Sequence, residues 1–185
     1  MIKAFEIVNK VGDQVTLVDL GARIISWQTQ VNQKPRDIIV SYSNANDLYF
    51  DPCYVGAIVG PYANRIGGAT APVFDKTLKL NANEGQNQLH GGKNALDKCF
   101  WQVKERSERA ITFKYWIEDD FNGYPGAMTF EVEYRLAEQS SQLKINFNLT
   151  SEKPTIVGPT GHAYFNLSGD ANTINAHKLQ VVYRS

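Results

Sequence analysis

This 185-residue chain lacks an excess of charge of one sign, a long apolar run and a secretory signal. Lysine plus arginine and aspartate plus glutamate each total 19, so the net charge is zero, and the basic residues form no continuous run. This balance argues against nucleic acid and anionic membranes as partners. No apolar run reaches the ~18 residues of a membrane span, and the N-terminus alternates in polarity instead of forming a secretory signal. We therefore expect a cytoplasmic protein.

Cysteine is also scarce. The only two, Cys53 and Cys99, are far apart and form no CxxC pair, so reduced thiols are expected and a zinc or redox role is not. His177 has no HxH or HxxxH partner, which disfavours a metal site there. We interpret His177 as the residue that enters a final strand.

Alternating polarity is the dominant pattern along the chain. It is clearest from Met128 to Leu136 and recurs over 111–117 and 143–149, and a period of two is that of a strand with one buried face. Many short strands with few helices predict a β-sandwich or a related all-β architecture. Weaker strands are predicted over 4–8, 14–20, 23–31, 37–42, 101–106 and 179–183, and helical turns over 44–50 and 94–100.

The least regular segment, residues 50–92, contains two groups suited to ligand binding. Long irregular segments held by a rigid sheet often carry function. Arg65 offers a planar fork of donors beside the Asn64 amide, a pair that suits a polyhydroxylated ligand; the alternative is a buried structural arginine. His90 precedes two glycines, and its alternative is a loop histidine bonded to a backbone carbonyl.

A third candidate, His162, lies between small residues and is followed by two aromatics. An imidazole with a pKa near ~6.5 can exchange a proton at neutral pH, although a histidine in such a setting is often an ordinary half-buried residue. Tyr164 and Phe165 are expected to alternate about a short strand, with one side in the core. Residues 124–126, Tyr-Pro-Gly, are expected to shape a turn.

Four segments, in this order, resemble the aldose 1-epimerase family, the galactose mutarotases. They are YANRIGG at 62–68, QLHGG at 88–92, NGYPG at 122–126 and GHAYFNLSG at 161–169. The resemblance covers essentially the whole chain and implies the all-β supersandwich of that family. Residues 1–185 would then be the N-terminal portion of that domain, incomplete at the C-terminus. The later strands, with the family's substrate-binding Asp and catalytic Glu, have no counterpart here.

The resemblance also implies a reaction, the interconversion of the α and β anomers of free hexoses such as galactose and glucose. Opening the hemiacetal requires one group to protonate the ring oxygen and another to deprotonate the anomeric hydroxyl, and it needs no metal or other cofactor. By resemblance His162 is the acid and His90 is a second catalytic imidazole that also binds the sugar. Asn64 and Arg65 are the substrate-binding pair.

Two other functions stay open at this point. A non-catalytic carbohydrate-binding β-sandwich would keep the sugar-binding groups without the general base. A hexose-6-phosphate epimerase would need a cationic cluster for the phosphate, and it is disfavoured because the motifs contribute only Arg65 and, at a distance, Lys93 and Lys98.

Two expectations follow for residues 1–185 alone. Little catalysis is expected without the family's base, and Glu152 or Asp170 are the first carboxylates to mutate if catalysis is seen. A sandwich without its last strands exposes open edges, so self-association is also expected.

Overall fold

The computed structural model describes residues 1–169 and 173–182, and its elements are almost all β-strands, which confirms the all-β class. Three short 3-10 helices cover Ala45–Phe50, Gly67–Ala69 and Leu96–Lys98. Among the described residues, no helix has the length and apolar character needed to cross a membrane. The strands are β1 (Ala4–Val8), β2 (Gln14–Val18), β3 (Arg23–Val31), β4 (Lys34–Asp37), β5 (Ile58–Val59), β6 (Arg65–Ile66), β7 (Thr70–Val73), β8 (Lys76–Lys79), β9 (Gln88–Leu89), β10 (Gln102–Arg106), β11 (Ala110–Ile117), β12 (Met128–Leu136), β13 (Leu143–Ser151) and β14 (Thr160–Gly161).

Strands β1 to β4 form one antiparallel sheet in sequence order. Asn32 and Gln33 join β3 to β4, and both have positive φ (51° and 62°). Two such residues match the twist of a tight hairpin. Val15 and Leu17 of β2 are fully buried, so the alternation predicted from the sequence places one face of this sheet in the core.

Strands β10 to β13 form the second antiparallel sheet, also in sequence order. Its most regular strand is β12, whose apolar residues at alternate positions are all buried. Strand β13 lies at the edge and pairs Ile145 with Tyr134 and Phe147 with Val132. The apolar face of β13 is only half covered, since Ile145 is 38% and Phe147 40% exposed.

The two sheets share one apolar core. The Phe5 ring of β1 meets the Phe113 ring of β11 edge-on, with centroids 5.7 Å apart. The buried Tyr134 hydroxyl donates to the Ala22 carbonyl over 2.8 Å, which satisfies the one polar atom that this ring carries into the core. Ile58, Ile66 and Leu80 of the irregular segment belong to the same core, so this segment packs against the two sheets.

One predicted strand, 37–42, is wrong. The strand lies earlier, at Lys34–Asp37, where Pro35 is tolerated because β4 is an edge strand. The Asp37 carboxylate accepts from the Ile39 and Trp27 N–H groups, both at 3.0 Å. This local bond competes with a ladder, so the chain leaves the sheet after Asp37. Other predicted boundaries also shift: β2 ends at Val18, and the helical turn predicted over 94–100 is reduced to Leu96–Lys98.

The strand predicted over 179–183 is also wrong over its described part, 179–182, which has no strand partner and is exposed; residue 183 lies outside the described residues. Alternation alone does not make a strand without a neighbour to pair with. His177 consequently enters no strand, and its Nε2 instead accepts from the Leu167 N–H at 2.9 Å. One of Tyr164 and Phe165 was expected to pack in the core. Both are exposed, so this expectation is wrong.

Candidate active site

His90 and His162, which are far apart in sequence, lie against each other in the structure. Their ring centroids are 5.2 Å apart and the rings are nearly perpendicular, at 88°. The Tyr54 ring lies 4.6 Å from His90 and 5.8 Å from His162, and the Tyr164 ring lies 5.2 Å from His162. Both histidines are half-buried, so a cluster of four rings presents two imidazoles at the surface.

Backbone pairing places His162. Strand β14 pairs with the fully buried β5, with Gly161 opposite Ile58. Just beyond this pair, the His162 N–H donates to the Ala57 carbonyl at 2.8 Å, and the His162 carbonyl accepts from the Gly56 N–H at 3.0 Å. Within residues 1–169 and 173–182 no hydrogen bond ties the His162 imidazole, so the main chain is fixed while the ring nitrogens remain available.

His90 is placed by the pairing of β6 with β9. Immediately after β9, the His90 N–H donates to the Asn64 carbonyl at 3.1 Å, and the Asn64 N–H donates to His90 Nδ1 at 3.0 Å. Because Nδ1 accepts a hydrogen bond, it carries no proton, and the proton of the neutral ring is on Nε2. Burial lowers the pKa of His90 to about 4, and the charges of His162 and Arg65 act in the same direction. His90 is therefore a neutral donor at physiological pH.

Three residues around this site have left-handed backbone conformations without being glycine. They are Tyr54 (φ 57°), Asn64 (φ 64°) and His90 (φ 51°). Such conformations are costly for bulky side chains and collect at functional sites, where the surrounding structure enforces them. Here the two hydrogen bonds between Asn64 and His90 enforce two of the three.

The NGYPG segment forms a clamp beneath His90. Tyr124 is fully buried, and its hydroxyl donates to Gln88 Oε1 at 2.5 Å. Gln88 Nε2 donates in turn to the Asn122 carbonyl at 3.2 Å. The Asn122 amide donates to the Gly91 carbonyl at 2.9 Å. The turn lies over 121–124, so the turn predicted over 124–126 is displaced towards the N-terminus, and the polar side chains of this segment bond to Gln88 and Gly91 on either side of His90.

Glycine is required directly after His90. Gly91 has φ +89°, and a Cβ built there would lie 1.9 Å from the Gly60 carbonyl oxygen. Any other residue would push the His90 loop away from the neighbouring segment. The glycine therefore allows the close approach that brings this imidazole to His162.

The chain is similar to known proteins of one family. A family model described as Aldose 1-epimerase matches residues 3–184. The chain is 33% identical over 175 residues to an Aldose 1-epimerase of Escherichia coli K12, covering 94% of this chain and 50% of that protein. It is 30% identical over 170 residues to the Galactose mutarotase of Homo sapiens, covering 91% and 49%.

The chain belongs to the aldose 1-epimerase family. This confirms the resemblance carried by the four motifs. A solved structure of a GalM/aldose epimerase homologue from C. elegans superposes with a TM-score of 0.85 at 29% identity, covering 92% of this chain and 52% of that one. A galactose 1-epimerase from Lactobacillus acidophilus shares the fold with a TM-score of 0.77 at 22% identity. The chain spans about half the length of the curated relatives it matches.

The sequence left open whether Arg65 in this member of the aldose 1-epimerase family binds a ligand or is a buried structural residue. The structure excludes the buried structural role. The Arg65 side chain is 56% exposed, and its Nε and Nη2 donate to the two Glu84 carboxylate oxygens, each at 2.6 Å. The buried structural arginine is Arg23, which pairs with Asp51 at 2.6 Å. The Asn64 side chain is exposed beside Arg65.

A cleft of about 410 Å³ opens beside the ring cluster at Tyr54, within the size range of small-molecule sites. Lys93 and Lys98 both line it, although Lys98 Nζ donates to the Asp51 carbonyl at 2.7 Å. Asp97 also lines this cleft, and burial raises the pKa of its carboxyl to about 6. The described residues contain no group of three or more His, Cys, Asp or Glu placed to hold a metal ion.

Sequence reasoning missed Tyr54 and Glu84. Tyr54 stands in no motif, and Glu84 lies in an Asn- and Gly-rich run that indicates only a loop. Of the two carboxylates singled out from the sequence, Glu152 is exposed at the end of β13 and Asp170 lies outside the described residues. Glu84 is instead the carboxylate that reaches Arg65.

Proposed function

We propose that this chain carries the sugar-binding and proton-donating residues of an aldose 1-epimerase that interconverts the anomers of free hexoses such as galactose and glucose. The observation that carries the proposal is the His90–His162 pair, whose ring centroids are 5.2 Å apart. Two adjacent imidazoles, one neutral and one whose ring makes no hydrogen bond to the described residues, suit two neighbouring oxygens of a sugar. The names of the relatives, aldose 1-epimerase and galactose mutarotase, support the same class.

In the proposed reaction His162 donates a proton to the ring oxygen while a base takes the proton of the anomeric hydroxyl. The bond between C1 and the ring oxygen breaks, C1 becomes an aldehyde carbon, and the ring oxygen becomes a hydroxyl. Rotation about C1–C2 presents the other face, and the reverse transfers close the ring. A positioned acid or base contributes roughly 10²–10⁴-fold to such a step.

The other residues would bind the sugar. His90 donates from Nε2, because Nδ1 is occupied by the Asn64 N–H. Its lowered pKa, about 4, keeps it a hydrogen-bond donor that does not compete with His162 as acid. The exposed Asn64 amide and the remaining Arg65 donors would engage hydroxyl groups.

Two of the described carboxylates near the site, Glu84 and Asp51, do not suit the role of general base. Arg65 lowers the pKa of Glu84. Burial opposes the ionisation of Asp51, but the Cys53 N–H and Arg23 outweigh it and lower the pKa of Asp51. A carboxylate held in this way is a weak base. The same observation favours the second candidate, a sugar-binding protein without catalysis.

Polarimetry on the chain distinguishes these two functions. The optical rotation of fresh α-D-galactose is followed with and without EDTA, and with and without formate, which is a small carboxylate able to stand in for a base. The matched control is His162→Ala at the same formate concentration, because formate itself accelerates mutarotation.

We expect wild-type protein to show little excess rate without formate and an excess with formate that is about tenfold or more above His162→Ala. Sugar binding without any such excess would leave the non-catalytic candidate. Equal rates for wild type and His162→Ala in all conditions would contradict the assignment of His162 as the acid, and an EDTA-sensitive rate would contradict the metal-free mechanism.

A further inference from the structure

The ion pair between Arg65 and Glu84 has a two-point geometry. Arg65 Nε reaches Glu84 Oε2 and Nη2 reaches Oε1, both at 2.6 Å. A guanidinium has five N–H donors in one plane, so this fork fixes the orientation of the plane and leaves three donors for other partners. Both side chains are substantially exposed, so the pair stands where a ligand can reach it.

Glu84 is itself held in a rigid turn. Its N–H donates to the Asn87 carbonyl at 3.1 Å, and the Asn87 N–H donates back at 2.9 Å. The neighbouring Asn83 side chain bonds both the Leu89 N–H, at 2.7 Å, and the Leu89 carbonyl, at 3.0 Å. Leu89 is paired with Arg65 across β6 and β9. The carboxylate is thus attached to the strand that precedes His90.

Such a pair adds little to folding stability, because exposed ion pairs gain little Coulomb energy in water. Its effect on Arg65 is larger, since a long side chain that is already ordered loses less conformational freedom when it binds a ligand. The pair links Arg65, which follows Asn64 in the motif at 62–68, to the turn over 84–87 that precedes the motif at 88–92.

We propose that Glu84 is the positioning residue for Arg65. It holds the guanidinium by Nε and Nη2 so that the remaining donors face the hydroxyl groups of a free hexose beside the two histidines. This inference rests on the proposed function, because it assigns Arg65 to sugar binding. Glu84 acts through Arg65 and does not itself touch the sugar.

The test is a double-mutant cycle with D-galactose as the probe. Dissociation constants are measured by NMR titration for wild type, Glu84→Gln, Arg65→Ala and the double variant. Glu133→Gln is the matched control, because it removes an exposed pair with Arg135 on the outer face of β12, away from the site. Thermal melting of each variant shows that it folds, and the Arg65 Nε–H resonance reports whether the guanidinium is held.

We expect Glu84→Gln to weaken galactose binding about three- to tenfold and to speed solvent exchange of the Arg65 Nε–H, with no change in Glu133→Gln. In the Arg65→Ala background, Glu84→Gln should cause no further loss. Wild-type affinity in Glu84→Gln, or an equal loss with and without Arg65, would overturn the positioning role while leaving the proposed function intact. Absence of galactose binding by wild type would overturn the proposed function and this role with it.

Discussion

At the scale of single residues, the main-chain N–H of Asn64 sets the tautomer of His90. It donates to Nδ1 over 3.0 Å, and this bond is lost if the ring gains a second proton there. Burial, together with the positive charge of neighbouring groups, acts in the same direction. The imidazole is therefore a fixed donor whose role does not change across physiological pH.

Titration of the imidazoles by NMR tests this state directly. Nitrogen-detected spectra should show His90 as the Nε2–H tautomer at pH 7, and it should remain neutral until the pH falls to about 4. The Asn64 N–H resonance should shift only in that low range. Protonation of His90 near its ordinary value of 6.5 would contradict the hydrogen bond to Nδ1.

Asp97 gives a second residue-scale prediction. Burial raises the pKa of its carboxyl from 3.8 to about 6, against the opposing effect of Lys98 and Arg23. The folded protein then binds more protons than the unfolded chain between these values, so this group lowers stability as pH rises through that window. At pH 7 the free energy of unfolding of Asp97→Asn should exceed that of wild type by up to about 3 kcal/mol. Near pH 4 the two proteins should be equally stable.

Chemical denaturation at several pH values checks this, and Asp120→Asn is the control because Asp120 is exposed.

His90 has the opposite effect on the pH dependence of stability. Because the pKa of His90 is lowered, the free energy of unfolding decreases as pH falls from 6.5 to about 4. This decrease should be visible when the stability of Asp97→Asn is plotted against pH. An Asp97→Asn protein with the wild-type pH dependence would show that Asp97 is ionised in the fold at no cost.

How far the site follows from the sequence depends on how each residue is placed. His90 and His162 stand in short motifs with diagnostic neighbours, and the structure brings them together. Tyr54 and Glu84 lie in segments without periodicity, and long-range pairing alone brings them to the site. Local sequence contains no signal for such contacts.

At the scale of elements, alternation predicted the strands of the two four-stranded sheets except β4, and it did not predict the short paired strands β5 to β9 and β14. Strand β12 lies between two neighbours and agrees with the predicted 128–136 residue for residue. The pattern failed where a local hydrogen bond replaced strand pairing, as at Asp37, whose carboxylate accepts from the Ile39 N–H. It failed again over the described residues 179–182, which have no neighbouring strand. Periodicity identifies a face and not the partner that completes it.

Strand β13 leads to a prediction of self-association. It is nine residues long and lies at the sheet edge with a half-covered apolar face, and such edges pair with other chains. Sedimentation velocity on wild type should show oligomers that grow with concentration. Phe147→Lys places a charge on that face and should shift the protein towards monomer.

Asn146→Lys is the matched control on the opposite, exposed face of the same strand. It adds the same charge and should leave the association largely intact. A wild-type protein that stays monomeric at high concentration would show that this edge is already protected. Equal loss of association in both variants would indicate a charge effect unrelated to the apolar face.

At the scale of the whole molecule, two pairs of two-residue strands assemble the site above the sheets. Strands β5 and β14 bring His162, and β6 and β9 bring His90, together with Arg65 and Asn64. The partners in each pair are far apart in sequence, so the site exists only in the folded chain. Binding of a sugar to it should depend on both pairs at once.

The most direct test of the central claim is a titration of the chain with D-galactose, with the imidazoles of His90 and His162 observed together by NMR. If the two rings form one sugar site, both sets of resonances shift and saturate at the same galactose concentration, while those of His177 do not move. A shift in only one ring, or two different saturation points, would contradict a single site built from the two histidines.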